Sequence, residues 1–235
     1  FRFSQWKQQD YSARLAPTPE LLEAFLRRLS FMVEFRFPGR AERRAIWERV
    51  FPQGLPTVSP LVDKEGRMPG WQTSVTSEGG RDIKLFDTIL ADLKKQHAVD
   101  DRRIYSMGHS NGAAFSYLLW QARPEVLAAI GSVAGSLRGD GKPLSSLPVI
   151  HVAGENDPLV KFTWQQATFA AVKRFNGCSE EGKAWAKEGV LEATIYASSK
   201  GAPLVTAIHG GGHEYAKGST ELIVRFFKEN PKPAK

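Results

Sequence analysis

Five residues constrain this chain more than any others: Gly108-His109-Ser110-Asn111-Gly112. They lie between Arg103–Met107, which reads as a short strand, and Ala113–Ala122, which reads as a helix stopped near Pro124. A chain that passes from strand to helix in so few residues must turn very tightly. Such a turn leaves room only for small neighbours at the flanking glycines, and it lifts the central serine hydroxyl clear of the strand. G-x-S-x-G is a weak pattern by itself. Its strand–turn–helix setting makes it a nucleophile-elbow signal.

The rest of the chain supplies a matching frame. Thr18-Pro19-Glu20 reads as the start of a helix carrying Leu21, Leu22, Phe25, Leu26 and Leu29 on one stripe. Phe31–Phe37 is a strand candidate, and residues 52–80, rich in Pro and Gly, read as loops. Ile83, Phe86, Ile89, Leu90 and Leu93 mark an amphipathic helix. Ala128–Val133, Pro148–Val152, Leu191–Ala197 and Pro203–His209 read as strands, and Thr163–Phe175 and Thr220–Phe227 as helices. Strands alternating with helices predict an α/β fold: a mostly parallel central sheet with helices on both faces. At 235 residues the whole chain fits one such domain.

A serine hydroxyl needs a base to become a nucleophile. In the fold class that uses this elbow, the chain order is serine, acid, histidine. The acid is expected after a later strand, where Pro148–Val152 leads into Gly154-Glu155-Asn156-Asp157-Pro158. Asp157 is the natural candidate and Glu155 its competitor. The base is expected after the last strand, where Gly210-Gly211-Gly212-His213 follows, with His209 as runner-up. His97 sits at a helix end, His109 lies inside the elbow, and His151 falls within a strand, which suits a buried, hydrogen-bonded ring. The expected chemistry has His213 deprotonate Ser110, Asp157 fix the useful tautomer, and the Asn111 backbone N–H hold the oxyanion. There is no H-E-x-x-H, C-x-x-C, P-loop or dinucleotide-binding glycine pattern, so no metal and no cofactor is expected.

Charge narrows the partners. The net charge of +7 first suggests nucleic acid. The basic pairs Arg27-Arg28, Arg43-Arg44, Lys94-Lys95 and Arg102-Arg103 are scattered, however, and no nucleic-acid motif accompanies them. A solvated basic surface is expected, with no nucleic-acid partner. No apolar run approaches the ~18 residues of a membrane span. The single cysteine, Cys178, leaves redox compartment unread. Oligomeric state is likewise unread.

Taken together, several segments resemble the polyhydroxybutyrate depolymerase-like esterases, a family that includes feruloyl esterases, acetylxylan esterases and LpqC-like proteins. They are Phe51-Pro52-Gln53-Gly54-Leu55, Pro69-Gly70-Trp71-Gln72, Asp82 through Gly112, and His151 through Val160, followed by Asn176-Gly177-Cys178 and Gly211-Gly212-His213. The resemblance runs from about Val50 to Phe227 and leaves residues 1–49 as a divergent N-terminal part. It implies an α/β-hydrolase, a triad of Ser110, Asp157 and His213, and Asp157 rather than Glu155 as the acid. It further implies that the loop around Trp71 borders the acyl or aryl pocket. His109 and Trp164, beside the serine and beyond the acid loop, are the other substrate-binding candidates. In the family a His-Gly pair after an early strand gives the second oxyanion N–H. Its counterpart here is Phe37-Pro38-Gly39-Arg40, where proline has no N–H, so that donor falls to Gly39 or Arg40. The family's cysteine near Asn-Gly often pairs with another, a partner Cys178 lacks. The implied activity is serine carboxylester hydrolysis of polyester oligomers, feruloyl or acetyl polysaccharide esters, or small esters. The alternative is a degenerate hydrolase serving as a binding protein. The resemblance also implies a secreted or periplasmic protein.

Overall fold

The computed structural model describes residues 31–35, 70–96, 98–138 and 145–233. The expected helix after Thr18, Gly39, Arg40, His97 and the loop up to residue 69 lie outside the described residues. A seven-stranded sheet organises the described part, in the order β1-β2-β3-β4-β7-β6-β5. The strands are β1 (Phe31–Phe35), β2 (Ile104–His109), β3 (Ala129–Val133), β4 (Val149–Gly154), β5 (Lys183–Glu188), β6 (Leu191–Tyr196) and β7 (Leu204–His209). Strands β1 to β4 and β7 run parallel. Strands β6 and β5 close one edge antiparallel. The helices are α1 (Arg81–Gln96), α2 (Asn111–Ala122), α3 (Phe162–Asn176) and α4 (Ser219–Glu229).

Period-two alternation along the strands divides the core into two layers. Ile104, Val149, Ala153 and Leu204 face one side, where they meet Ile83 and Phe86 of α1, Phe115, Leu118 and Leu119 of α2, and Phe169 and Val172 of α3. Tyr105, Met107, Ile150, Val152, Val205 and Ala207 face the other, against Leu222, Ile223, Phe226 and Phe227 of α4. Each fully buried side chain of this size contributes roughly 1.5–3 kcal/mol. The mostly parallel sheet with helices on both faces is as expected. Parallel strands buried on both faces also explain why they read as short apolar runs.

The structure adds β5, which the sequence reading passed over. Its burial runs from exposed to half-buried along Lys183-Ala184-Trp185-Ala186-Lys187-Glu188. An edge strand with charges at both ends carries no apolar alternation to detect. Helix α2 starts at Asn111, two residues earlier than the apolar pattern predicts, so the turn from β2 is a single residue wide.

Candidate active site

That single residue is Ser110, with φ 57° and ψ −119°. A non-glycine side chain in this region is strained by on the order of 1–3 kcal/mol, and such strain survives only where the surroundings enforce it. Here Ser110 N–H donates to the Val133 carbonyl (2.8 Å), and the Ser110 carbonyl accepts from Ala114 N–H (3.1 Å). The flanking glycines are a steric necessity. A Cβ on Gly108 would lie 2.4 Å from the Gly112 carbonyl oxygen. Asn111 is the first residue of α2, so the helix itself offers its N–H no partner.

Two loops from the C-terminal ends of β4 and β7 converge on this serine. His213 Nε2 is 2.8 Å from Ser110 Oγ, and His213 Nδ1 is 2.8 Å from Asp157 Oδ2. Asp157 is buried, while Glu155 is exposed. Asp157 Oδ1 accepts the N–H groups of Leu159 and Val160, each at 2.8 Å. Burial alone would push the Asp157 carboxyl up. The hydrogen bonds from His213, Val160 and Leu159 outweigh it and hold the carboxyl below its ordinary value. An ionised Asp157 accepts Nδ1–H, which leaves His213 Nε2 bare towards Ser110, the tautomer a general base needs.

The loops brace each other. Glu155 N–H donates to the His209 carbonyl (2.9 Å) and Asn156 N–H to the Gly211 carbonyl (3.0 Å). A Cβ on Gly154 would sit 2.3 Å from the Gly212 carbonyl oxygen, so the approach requires glycine. His209 is buried, and its Nδ1 accepts Gly211 N–H at 3.1 Å. It shapes the glycine loop, whereas His213 reaches the serine.

The remaining predicted positions divide. Trp71 is half-buried and stacks on Phe115, with ring centroids 4.8 Å apart. Its backbone N–H donates to Asn111 Oδ1 at 2.6 Å, which ties its loop to the elbow. His109 lies beside His213, ring centroids 5.0 Å apart. Trp164 is 52% exposed, with the Lys161 ammonium 5.7 Å from its ring. Cys178 is half-buried, and burial pushes its thiol up. Among the described residues no cluster of three or more His, Cys, Asp or Glu is arranged to hold a metal ion. No described helix is long and apolar enough to cross a membrane.

Three supporting side chains escaped the sequence reading. Asn111 anchors the Trp71 loop through its side chain as well as standing next to Ser110. Gln72 fixes the far end of that loop. Its N–H donates to Asp82 Oδ2 (2.6 Å), and its Oε1 accepts the N–H groups of Asp82 (2.7 Å) and Ile83 (3.1 Å), capping α1. Gln165 donates to Asp157 Oδ2 at 3.4 Å and to the Val160 carbonyl at 2.8 Å. Of the three, Gln165 alone carried a signal: it is a polar residue on the apolar stripe shared with Phe169 and Val172.

Known proteins resemble this chain in both sequence and fold. Residues 62–178 match the family described as Esterase PHB depolymerase. The bifunctional acetylxylan esterase/xylanase XynS20E of Neocallimastix patriciarum is 28% identical over 109 residues, covering 43% of this chain and 16% of that protein. A protein of Aspergillus clavatus named "Probable feruloyl esterase C" is 26% identical over 162 residues, covering 66% of this chain and 57% of that one. The chain thus spans between about one sixth and just over half the length of these relatives. The Bacillus cereus carboxylesterase structure superposes with a TM-score of 0.54 at 16% identity, covering 84% of this chain and 87% of that one. The fold is an α/β-hydrolase. The family match takes in both the Ser110 elbow and the Asp157 loop, and over these residues the chain is similar to the PHB depolymerase-like esterases.

Proposed function

We propose that this chain is a serine carboxylester hydrolase that works through Ser110, His213 and Asp157. The observation that carries the reading is the unbroken series of hydrogen bonds from a strained elbow serine to a histidine to a buried carboxylate, both links 2.8 Å long. His213 Nε2 removes the Ser110 proton as Oγ attacks the ester carbonyl. The Asn111 N–H stabilises the tetrahedral oxyanion. His213, now protonated and facing Asp157, gives its proton to the leaving alkoxide, and an acyl-Ser110 remains. Water, deprotonated by His213, attacks the acyl group. Collapse of the second tetrahedral species releases the acid and restores Ser110.

The substrate reading is soluble carboxylic esters: acetyl or feruloyl groups on polysaccharide, polyester oligomers, or small aryl esters. It is supported by the family and by the named activities of its acetylxylan and feruloyl esterase relatives. Half-buried Trp71, tied to Asn111, and exposed Trp164, beyond the acid loop, are the tryptophans proposed to contact substrate. The test is hydrolysis of p-nitrophenyl acetate and butyrate. Activity is expected in the wild type and lost by at least about 10³-fold in Ser110→Ala. Equal rates in the two proteins overturn the assignment.

A further inference from the structure

Beneath Asp157 lies a buried polar string that the proposed chemistry does not use. Tyr117 of α2, His151 of β4 and Gln165 of α3 are each 0% exposed. Tyr117 Oη is 2.8 Å from His151 Nδ1, and His151 Nε2 is 3.0 Å from Gln165 Oε1. Gln165 Nε2 then reaches the Val160 carbonyl (2.8 Å) and Asp157 Oδ2 (3.4 Å). Phe169 packs edge-on against the His151 ring, centroids 4.9 Å apart. Three polar side chains buried among Phe169, Val149 and Leu204 weaken the core unless every donor and acceptor is matched.

They are matched in one direction only. The Val160 carbonyl and the Asp157 carboxylate are both acceptors, so the end of Gln165 that faces them must be its NH₂ group. The other end is then Oε1, an acceptor, and His151 must present Nε2–H to it. Burial holds His151 neutral, with its pKa drawn down to about 4. Its Nδ1 is therefore bare and accepts from the Tyr117 hydroxyl. Every hydrogen along the string points towards Asp157. Asp157 Oδ2 receives Gln165 N–H from inside and His213 Nδ1–H from the cleft, while Oδ1 is held by the loop backbone.

We infer that Tyr117, His151 and Gln165 are positioning residues: a one-way hydrogen-bond relay from the core that fixes the Asp157 carboxylate, through both the Val160 carbonyl and Oδ2, in the orientation that receives His213 Nδ1–H. The inference rests on the proposed role of Asp157. It goes further in assigning that orientation to α2, β4 and α3 and not to the acid loop alone.

The test uses the full chain, p-nitrophenyl acetate, and three variants whose folding is checked by thermal melting. Gln165→Met keeps the length but removes the donor. His151→Leu removes the donor to Gln165. His151→Gln can restore it, because its amide nitrogen can stand where Nε2 stood. Gln165→Met and His151→Leu are expected to lower kcat roughly 10- to 100-fold with KM nearly unchanged, as for a misplaced catalytic group. His151→Gln is expected to recover to within about threefold of wild type. The downfield proton resonance of His213 Nδ1–H should broaden or move in the first two variants and return in the third. A purely structural role predicts a different pattern: lower melting temperatures, unchanged kcat per folded molecule, and no distinction between His151→Leu and His151→Gln. Either that pattern or an unmoved His213 resonance overturns the relay. Should Gln165→Met fail to fold, the two His151 variants decide alone. An inactive wild type, or an active Ser110→Ala, instead overturns the esterase reading, and the His213 resonance still reports on the relay.

Discussion

The two loops that meet at Ser110 are built by different means. The acid loop is anchored in the protein interior: Asp157 is buried, its Oδ1 is clasped by Leu159 and Val160 N–H, and Gln165 reaches it from α3. The histidine loop has little anchorage of its own. Its glycine carbonyls are held by Asn156, through the backbone N–H to Gly211 and through Nδ2 to Gly210, and Gly211 N–H rests on His209. The imidazole is thus placed second-hand, by a loop that the core has already fixed. Rigidity flows from the core to Asp157, from Asp157 to His213, and from His213 to Ser110. Damage should do most harm where this order passes through a single atom pair, and least at exposed contacts that only brace the loops.

The largest effect is expected where the order passes through one atom pair. Asp157→Asn keeps the shape but puts an NH₂ or a neutral carbonyl opposite His213 Nδ1, which favours the wrong tautomer. A fall in kcat on the order of 10⁴-fold is expected, with folding retained. A loss below tenfold would mean that His213 is oriented by its own loop, and the proposed order collapses. Gly154→Val comes next. Its Cβ would meet the Gly212 carbonyl oxygen at 2.3 Å and the Gly211 carbonyl oxygen at 2.6 Å. The two loops must part by roughly an ångström, so kcat is expected to fall by about 100-fold. An unchanged kcat in this variant would show that the histidine loop needs no support from the acid loop.

The same contrast explains what the sequence made legible. Ser110, Asp157 and His213 stood out because each has a local signature: glycines at a strand–helix turn, an acid after an apolar strand, and a histidine after a glycine run. The parallel strands stood out because burial on both faces makes them apolar. What stayed hidden was whatever acts across the sheet. Gln165 is eight residues from Asp157 and His151 six, and nothing in that spacing says that α3 and β4 bring them together. Gln72 and Asn111 are 39 residues apart, yet through Trp71 they hold one loop between them. Strand β5 stayed hidden for the opposite reason, since solvent exposure removed the apolar pattern that reveals a strand.

Acid titration should separate the two levels of anchorage. His151 is fully buried, and burial draws its pKa down from 6.5 to about 4. Its hydrogen-bonded neighbours, Tyr117 and Gln165, are neutral, and the Gln165 hydrogen bond offsets the effect of burial only in part. Below pH 6.5 the unfolded chain takes up a proton that the folded chain refuses. Stability from this group is complete above about pH 6.5 and is lost as the pH falls towards 4. At about 1.4 kcal/mol for each pH unit, that loss is roughly 3 kcal/mol. The Asp157 carboxyl is held below its ordinary value of 3.8. Its contribution is present above that value and is lost only as the pH falls further, through the folded pKa. Chemical unfolding from pH 7 to 4 should therefore show a steeper decline in wild type than in His151→Gln. Parallel curves would place the sensitive group elsewhere.

The smallest effect is expected at the outer end of the order. The Asn156 side chain is exposed, and its Nδ2 donates to the Gly210 carbonyl at 2.7 Å. Asn156→Ala removes this bond but leaves the backbone N–H to the Gly211 carbonyl and the Gly154 contact intact. A neutral hydrogen bond of this kind contributes about 1 kcal/mol. The alanine variant should accordingly lose no more than about fivefold in kcat, with its melting temperature nearly unchanged. Because Gly210 is three residues from His213, a tight dependence on this one bond would appear as a loss of kcat comparable to that of Gly154→Val. Such a result would make the exposed Asn156 side chain, and not the close approach of the two backbones, the element that sets the imidazole. The buried contacts argue for the reverse, because a solvent-facing amide can exchange its partner for water at little cost, whereas two backbones 2–3 Å from a missing Cβ have nowhere to go.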